Sequence, residues 1–401
     1  MTHRQLARLL PHADLPLPLG DGRTPTPLEA RPDLSARLGP EVLLKREDLL
    51  DDLGGGHKVR KLDYVVADAL RQGATALVTG GSLPSGQCVA VAAAARRHGL
   101  EPVLVYSGDE QRRPSHPQGS YLLALMLATE VVWHERTPWS RNAELLADAC
   151  RKAAARGLVP YPVPPGITTW PGLLGSVGLG LELADQLGTG AGEAPGVRPD
   201  PAHGRREVHV VAPAGSGATC LGLALAARLL GLRWQVHGVC IGGGRAAVEA
   251  EIDALRQEAA RRLGRPDLAD PAAAPVHVHD QWLAAGYDRP SEAELSAMAE
   301  AVGDHGLLLD PTYMLKAFLG LRGLAASGAI PPAARAVLVH TGGSLGLFGS
   351  SPALRSWSRE RFAPFLAPAA PDGVPDGVPA GAPTSFTAAT ARSGGARPTG
   401  A

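Results

Sequence analysis

The stretch VLLKREDLLDDLGGGHKVRKLDYVVADALRQG (residues 42–73) decides the fold class. Its first four residues form a short apolar run that predicts a strand, and residues 59–73 carry apolar side chains at helical spacing. Three glycines and a lysine lie between the two patterns. A strand that leads through a glycine-rich turn into an amphipathic helix is typical of α/β proteins.

The same alternation continues along the chain. The predicted elements are, in order, strand 76–81, helix 87–98, strand 102–108, strand 208–215, helix 220–231, strand 234–243 and strand 336–343. This order predicts an α/β fold with mainly parallel sheets and with ligands at the carboxyl ends of the strands. Residues 188–207 read as a loop insertion, and residues 367–401, rich in Ala, Pro and Gly, are expected to be disordered.

Composition excludes several classes of function. The 401 residues carry a formal net charge of zero, with 45% hydrophobic and 19% charged residues, which predicts a globular protein without a nucleic-acid or membrane partner. The four cysteines show no Cys-x-x-Cys spacing, so we expect neither a disulfide framework nor a metal site. The first residues lack the apolar segment of a signal peptide, and we predict a cytoplasmic protein.

Lys58 is the first candidate for chemistry. The chain has only five lysines, and arginine supplies almost all of its other positive charge. The helix dipole opposes a cation at the start of a helix, which lowers the pKa of an amine there and favours its use as a nucleophile. Lys61 lies one turn later. Lys45 precedes an acidic pair and is expected to form a salt bridge, whereas Lys316 is expected to be solvated.

Two loops are candidates for binding anions. Residues 215–219, GSGAT, lie between a predicted strand and helix, where backbone N–H groups favour a phosphate; a tight turn is the alternative. The loop is neither a P-loop nor a dinucleotide fingerprint. Ser85 precedes the second predicted helix, either as an N-cap or as an oxygen that holds a substrate carboxylate. A nucleophilic lysine with these two loops suggests pyridoxal phosphate, held through its phosphate and through a Schiff base.

Over roughly residues 20–350 the chain resembles the ACC deaminase/D-cysteine desulfhydrase family, pyridoxal-phosphate enzymes of fold type II (ACC is aminocyclopropane carboxylate). The two loops and five segments carry the resemblance in the family's order: TPTPLEARPDLSARLG (24–39), KREDLLDDLGGGHKVRKLDYVVADAL (45–70), GYDRPSEAE (286–294), LLLDPTYMLKA (307–317) and LVHTGGS (338–344). The resemblance implies a homodimer and two α/β domains, each a mainly parallel twisted sheet flanked by helices. The large cofactor-binding domain would comprise residues 1–64 and 180–366, and the small domain residues 65–179.

The resemblance also implies roles for individual residues. Lys58 would hold the cofactor and move the α-proton of the substrate. The implied catalytic residues are Lys58, Ser85, Tyr287 and Tyr313. The implied cofactor-binding residues are Lys58, His57, Gly215, Ser216, Gly217, Ala218, Thr219 and Ser344. Ser344 lies at the position where desulfhydrase-like members place a threonine hydroxyl against the pyridine nitrogen. The implied substrate-binding residues are Ser85, Gly86, Gln87, Thr168 and Thr169.

Three of the positions that depart from the family pattern concern contacts to the cofactor. His57 replaces an asparagine, either as a substitute hydrogen-bond donor to the cofactor or as a solvent-side loop residue. Gly86 replaces an asparagine whose amide lies near the cofactor's 3′ oxygen. Met314 stands where ACC deaminases carry a glutamate. Since a thioether cannot keep the pyridine nitrogen protonated, β-elimination or α-proton exchange is favoured over the opening of the ACC ring.

The sequence therefore predicts a pyridoxal-phosphate lyase or deaminase that acts on a small amino acid. The leading substrates are D-cysteine and other β-substituted alanines, which would yield a keto acid and ammonia. One alternative is a specialised biosynthetic eliminase or racemase on the same scaffold. The other is a binding protein of this fold without catalytic activity, which the departures at Gly86 and Met314 favour and the retained Lys58, Ser85 and tyrosines oppose.

Overall fold

The strands form two separate sheets in the computed structural model, which describes residues 2–11, 14–51, 53–108, 116–135, 141–188, 206–349 and 352–363. Within these residues the larger sheet has six strands, in the spatial order β1 (Leu28–Ala30), β2 (Glu41–Lys45), β10 (Arg335–Val339), β7 (Val208–Ala214), β8 (Gln235–Cys240) and β9 (Val276–His279). The smaller sheet has the order β5 (Glu130–Glu135), β4 (Glu101–Gly108), β3 (Ala76–Gly81) and β6 (Pro160–Val163). All neighbouring strands are parallel except the β1–β2 pair.

Helices connect these strands. The α-helices of the described residues are α1 (Thr2–Leu9), α2 (Pro32–Leu38), α3 (Lys58–Arg71), α4 (Gly86–Arg97), α5 (Gly119–Leu127), α6 (Asn142–Ala155), α7 (Trp170–Gln186), α8 (Ala218–Leu229), α9 (Arg245–Leu263), α10 (Glu292–His305), α11 (Met314–Ala326) and α12 (Pro352–Arg361). None of them is long and apolar enough to span a membrane. Each βα turn brings the start of a helix to the carboxyl end of a strand, which is where the fold places ligands.

The predicted α/β class with two mainly parallel sheets is confirmed. The predicted helices 59–73, 87–98 and 220–231 correspond to α3, α4 and α8, each displaced by one or two residues. Residues 1–357 group into one compact unit and residues 358–401 into another, so the proposed domain boundaries at 64/65 and 179/180 stay predictions. The expected insertion at 188–207 lies almost wholly outside the described residues, and the expected disordered tail lies entirely outside them.

Helix α7 packs between α3 and α8 in the interior. Two glycines permit this approach: a Cβ on Gly175 would lie 2.2 Å from the carbonyl oxygen of Arg60, and one on Gly222 would lie 2.3 Å from the Cβ of Ser176. Every residue of α7 from Gly172 to Ala184 is buried. The close packing fixes the first turns of α3 and α8, which both begin at the carboxyl ends of strands in the larger sheet.

A cluster of four buried charges, named here the Lys45 cluster, joins β2, α3 and α7. It consists of Lys45, Glu47, Arg60 and Glu182. Lys45 Nζ lies 2.5 Å from Glu182 Oε1, and Arg60 makes ion pairs with Glu47 at 2.8 Å and with Glu182 at 3.0 Å. The predicted salt bridge of Lys45 is confirmed, but its partner is distant in sequence.

The expectation that Lys316 is solvated is wrong. Its side chain is 1% exposed, and its Nζ donates to the carbonyl of Leu283 at 2.7 Å and to Glu294 at 3.3 Å. The helix α11 that carries it lies against the larger sheet, so a mid-helix lysine on that face must find its partners inside the protein.

A row of histidines crosses three neighbouring strands of the larger sheet. Nδ1 of His209 lies 2.9 Å from Nε2 of His237, and Nδ1 of His237 lies 3.0 Å from Nε2 of His279. At the start of the row, the carboxylate of Glu207 lies 3.6 Å from Nε2 of His209. Burial lowers the pKa of His237 to about 3, and the neighbouring histidines act in the same direction. The central ring is therefore neutral at pH 7.

Candidate active site

Lys58 is the first residue of α3, immediately after the glycine turn that follows β2. Gly56 has a φ of 56°, and a Cβ there would lie 2.2 Å from the carbonyl oxygen of Thr341, so only glycine fits. The turn thus packs directly on Thr341, the second residue after β10. The half-buried side chain of Lys58 extends towards Tyr313, whose ring centroid lies 5.5 Å from its Nζ.

Lys58 and Lys61 are amines without an ion pair among the described residues. Burial lowers the pKa of Lys58 to about 8, and the charge of Asp310 opposes this shift. Burial and the charge of Lys58 lower the pKa of Lys61 to about 7, which Cys220 opposes. Both amines can therefore lose their proton near neutral pH, which is the condition for an amine to act as nucleophile or base.

Ser85 is the N-cap of α4, at the end of the loop that follows β3. Its Oγ accepts a hydrogen bond from the backbone N–H of Gln87 at 3.2 Å. A Cβ added at position 86 would have only one atom nearby, the carbonyl oxygen of Gly54 at 3.7 Å. The start of α4 therefore faces the glycine turn of Lys58 across open space, with the N–H groups of its first turn available to an anion.

Tyr287 and Tyr313 form a hydrogen-bonded pair beside these two elements. Their hydroxyl oxygens lie 2.5 Å apart and their rings meet edge to face. Burial raises the pKa of Tyr287 to about 12, while hydrogen bonds with Ser82 and Tyr313 oppose the shift. Burial also raises the pKa of Tyr313 well above its ordinary value, although an interaction with Ser85 acts to lower it. Both hydroxyls therefore stay protonated at neutral pH, and they link the tyrosines to the serine loop.

The GSGAT loop joins β7 to α8 at the carboxyl edge of the larger sheet. Gly217 is the N-cap of α8 with a φ of 75°, and a Cβ there would lie 2.4 Å from Ile252, so the position requires glycine. Ser216 and Thr219 are buried. The loop therefore presents successive backbone N–H groups and two hydroxyls at a helix start, an arrangement that suits a phosphate.

Met314, Thr341 and His57 meet at the carboxyl end of β10. The thioether of Met314 accepts from the backbone N–H of Thr341 at 3.3 Å, and the Thr341 hydroxyl lies 3.5 Å from it. The Nδ1 of His57 lies 3.0 Å from the carbonyl oxygen of Thr341, so Nδ1 carries the proton. Burial lowers the pKa of His57 well below its ordinary value, so its Nε2 is an acceptor. A donor role for His57 would require Nδ1 to leave Thr341.

The remaining predicted residues lie at the edges of this group. Ser344 begins the short turn after Gly343 and is half-buried. Thr168 donates to the carbonyl of Pro165 at 3.0 Å, and Thr169 is the N-cap of α7. The side chain of Gln87 is turned away from the start of α4 into hydrogen bonds with β3 and with the segment after β6. The family resemblance gave these residues roles towards ligands, but the side chains of Thr168, Thr169 and Gln87 bond to protein groups.

Three comparisons with known proteins agree with this geometry. A family model described as "Pyridoxal-phosphate dependent enzyme" matches residues 19–342. The chain belongs to this family. Its residues fit the cofactor, since they include an amine with a lowered pKa, a helix start suited to a phosphate and a second helix start with open space beside it.

Relatives of this pyridoxal-phosphate enzyme include a D-cysteine desulfhydrase of Salmonella paratyphi B, 32% identical over 330 residues that cover 82% of this chain and 94% of the relative. Among solved structures, an ACC deaminase homologue is similar with a TM-score of 0.75 and 28% identity, covering 88% of this chain and 99% of that one. Maize serine racemase shares the fold, with a TM-score of 0.57 and 16% identity. The resemblance to the fold type II family is thus confirmed.

Sequence reasoning assigned no role to three residues of the site. Lys61 is 2% exposed. The sequence indicated its spacing from Lys58 on α3 but did not predict its burial. Asp310 is buried and accepts from the backbone N–H groups of Thr312, Tyr313 and Met314, which fixes the start of α11. Thr341 supplies the hydroxyl that contacts Met314. An available signal was the unusual retention of lysine at position 61 in an arginine-rich chain.

Proposed function

We propose that this pyridoxal-phosphate enzyme is a lyase that removes the β-substituent of a small amino acid, with D-cysteine as the leading substrate. The observation that carries the proposal is the position of Lys58, an amine without an ion-pair partner among the described residues, beside a protonated tyrosine pair and opposite the start of α4. The D-cysteine desulfhydrase activity of a relative with 32% identity supports the substrate class.

Lys58 would hold the cofactor, and the GSGAT loop would hold its phosphate, with Lys61 as a nearby positive charge. The cofactor, when bound, stabilises the negative charge that remains at a carbon after it loses a proton. Thr341 rather than Ser344 is the stronger candidate for the hydroxyl at the pyridine nitrogen, because Thr341 contacts Met314 and no comparable contact supports Ser344.

The protein residues would then divide the work on the substrate. Ser85 and the N–H groups of the first turn of α4 would bind its carboxylate and orient the α-carbon. The amine of Lys58, with a pKa of about 8, would remove the α-proton. The Tyr287–Tyr313 pair would donate a proton to the departing β-substituent, because both hydroxyls hold their protons at neutral pH. Ser85, whose interaction with Tyr313 opposes the raised pKa of that tyrosine, would assist this transfer.

An eliminase or racemase of a different small amino acid is a second candidate, which the open space over Gly86 favours. Met314 disfavours ACC as a substrate for either candidate, since its thioether supplies no acidic proton. We further propose a cytoplasmic homodimer; the family resemblance supports the dimer, and four free cysteines fit a reducing compartment. Light scattering of the purified protein would test the dimer.

The test begins with the absorption spectrum of the purified protein with pyridoxal phosphate, followed by borohydride reduction and peptide mapping. We expect a visible band and a pyridoxyl group on Lys58. Sulfide release from D-cysteine is then compared with release from L-cysteine and with turnover of β-chloroalanine, serine and ACC. Label on another lysine would overturn the site, and turnover of serine or exchange of the α-proton without sulfide release would favour the second candidate.

A further inference from the structure

The side chain of Gln87 joins three polar groups beneath the start of α4. Its Nε2 donates to Thr79 Oγ1 on β3 at 2.9 Å and to the carbonyl oxygen of Pro164 at 2.9 Å. Its Oε1 accepts from the backbone N–H of Gly166 at 2.6 Å. The residue is 2% exposed, so these protein groups and not solvent determine its energetics.

The chemistry of the partners fixes the orientation of this amide. A carbonyl oxygen only accepts and a backbone N–H only donates, so Pro164 and Gly166 together exclude the flipped amide. Thr79 donates its own hydroxyl proton to the carbonyl of Val163 at 2.8 Å and is therefore free to accept from Gln87. Both N–H bonds of the amide are used. The side chain has no donor left for a substrate carboxylate, the role that the family resemblance implied.

Gln87 holds a turn with an unfavourable backbone. Gly166 and Ile167 have φ angles of 74° and 53°, and the left-handed region is costly for a β-branched residue. The side chain of Ile167 is fully buried, and its N–H donates to the carbonyl of Pro164 at 2.9 Å. Such a conformation persists only when its surroundings impose it. Gln87 contacts both ends of this turn, at Pro164 and at Gly166.

The other side of the same turn faces the phosphate loop. The carbonyl oxygen of Gly166 accepts a hydrogen bond from Lys61 Nζ at 3.1 Å. A Cβ on Gly166 would lie 2.5 Å from Ser216 Oγ, so the turn lies directly against the GSGAT loop. A continuous path of contacts therefore runs from Gln87 through Gly166 to Lys61 and Ser216.

We propose that Gln87 is a positioning residue for the cofactor phosphate: its side chain fixes the Gly166–Ile167 turn, which in turn fixes Lys61 and Ser216. The inference rests on the proposed function, because it needs the GSGAT loop to hold the phosphate. It assigns the side chain of Gln87 to cofactor affinity and leaves Ser85 and the backbone N–H groups of α4 for the substrate carboxylate.

The test compares two ligands that differ only in the phosphate, pyridoxal phosphate and pyridoxal. Gln87→Met keeps the size of the side chain and the backbone N–H while it removes all three hydrogen bonds. We expect the Kd for pyridoxal phosphate to rise about tenfold, as the loss of one or two hydrogen bonds predicts, with the Kd for pyridoxal nearly unchanged. At saturating cofactor the KM for D-cysteine should change little.

Two further variants sharpen the test. Lys61→Met should produce the same phosphate-specific loss, and the double variant should lose no more than Lys61→Met alone if Gln87 acts through Lys61. Gln186→Met is the matched control, because the amide of Gln186 also bonds through both its oxygen and its nitrogen, to Lys45 and to Thr26. It should lower the melting temperature without changing the ratio of the two Kd values.

If Gln87→Met fails to fold, Gln87→Glu at pH 8 replaces it, since a carboxylate oxygen would then oppose the carbonyl oxygen of Pro164. An unchanged ratio of the two Kd values with a large rise in KM would overturn the inference and assign the side chain to the substrate. Equal weakening of both ligands would also overturn it. A wild-type protein that binds no pyridoxal phosphate would instead refute the proposed function, and the inference with it.

Discussion

Helix α3 carries two kinds of cation: Arg60 is paired with carboxylates, whereas the half-buried Lys58 and the buried Lys61 are not. Arg60 belongs to the Lys45 cluster, where two cations face the carboxylates of Glu47 and Glu182. Lys58 and Lys61 lie close to Arg60 in the first turn of the same helix, and they have no ion pair among the described residues. Burial alone would raise the pKa of Glu182, but Arg60 and Lys45 hold it below its ordinary value. Burial lowers the pKa of Lys58 with only Asp310 opposing it.

This difference in pairing separates two kinds of charge. Charges of the first kind stabilise the fold by pairing with one another, and charges of the second kind would find their partner in a ligand. A paired buried charge is compensated within the protein, and removing one partner exposes the other to the full cost of desolvation. An unpaired buried amine is poorly solvated as a cation and gains from a partner that neutralises it or forms a bond with it. We therefore expect Lys58 and Lys61 to destabilise the cofactor-free protein slightly and to become favourable when a carbonyl and a phosphate bind.

Lys58→Ala should have the largest effect on activity. We expect turnover of D-cysteine to fall by about four orders of magnitude, the upper range for the loss of one general base, while the melting temperature of the cofactor-free protein stays equal or rises. Sulfide release and calorimetry measure the two quantities. Retained activity in Lys58→Ala would contradict this comparison, because Lys45 or Lys61 would then have to hold the cofactor.

Glu182→Gln should have the largest effect on stability. The substitution leaves Lys45 and Arg60 without one of their carboxylates, and we expect the free energy of unfolding to fall by about 3–5 kcal/mol. Urea unfolding measures the change, with Arg37→Gln, which breaks the exposed pair with Asp304, as a control of small effect. An unfolding free energy close to that of the wild type would show that the cluster does not need Glu182.

The pH dependence of stability should distinguish Lys58 from its neighbours. Its amine has a pKa of 10.5 in the unfolded chain and of about 8 in the folded protein. Between these values the unfolded state holds more protons, so stability rises with pH across this window. The cofactor-free wild type should therefore gain stability relative to Lys58→Met from pH 8 to pH 10.5. A difference that is flat with pH would mean that the folded amine is solvated.

Gly86→Asn should have the smallest effect on the fold. The position has space for a Cβ, with only the Gly54 carbonyl at 3.7 Å, so we expect a change in melting temperature of about 2 °C or less. Sulfide release from D-cysteine should rise several-fold if the added amide restores a contact with the cofactor. A fall in that activity, with Gly86→Ala as a control for bulk, would mean that the space belongs to a larger substrate.

The sequence predicted the elements that depend on local pattern. Strand 42–45, the glycine turn and helix 59–73 follow from apolar spacing and from the backbone freedom of glycine, and the structure contains all three. The GSGAT loop likewise lies between a strand and a helix. The fold class and the cofactor could therefore be read from short stretches of the chain together with their family resemblance.

Pairings between distant segments could not be predicted. Lys45 pairs with Glu182 rather than with the acids that follow it, and Lys316 is buried because α11 lies on the sheet. The amide of Gln87 bonds to Gly166, 79 residues away, which no local pattern reveals. Such contacts depend on how sheets and helices pack. The sequence analysis did not predict them because they join segments that are far apart in the chain, not because a motif was misread.

The row of histidines across the larger sheet has a direction. A neutral imidazole has one N–H, so the hydrogen bond between His209 Nδ1 and His237 Nε2 and the one between His237 Nδ1 and His279 Nε2 must run the same way. The carboxylate of Glu207 beside Nε2 of His209 favours the order in which each ring carries its proton on Nε2. The three rings thus share one tautomeric state, favoured by one surface acid, and nitrogen NMR of Glu207→Gln would register its loss at His279, two strands away from the change.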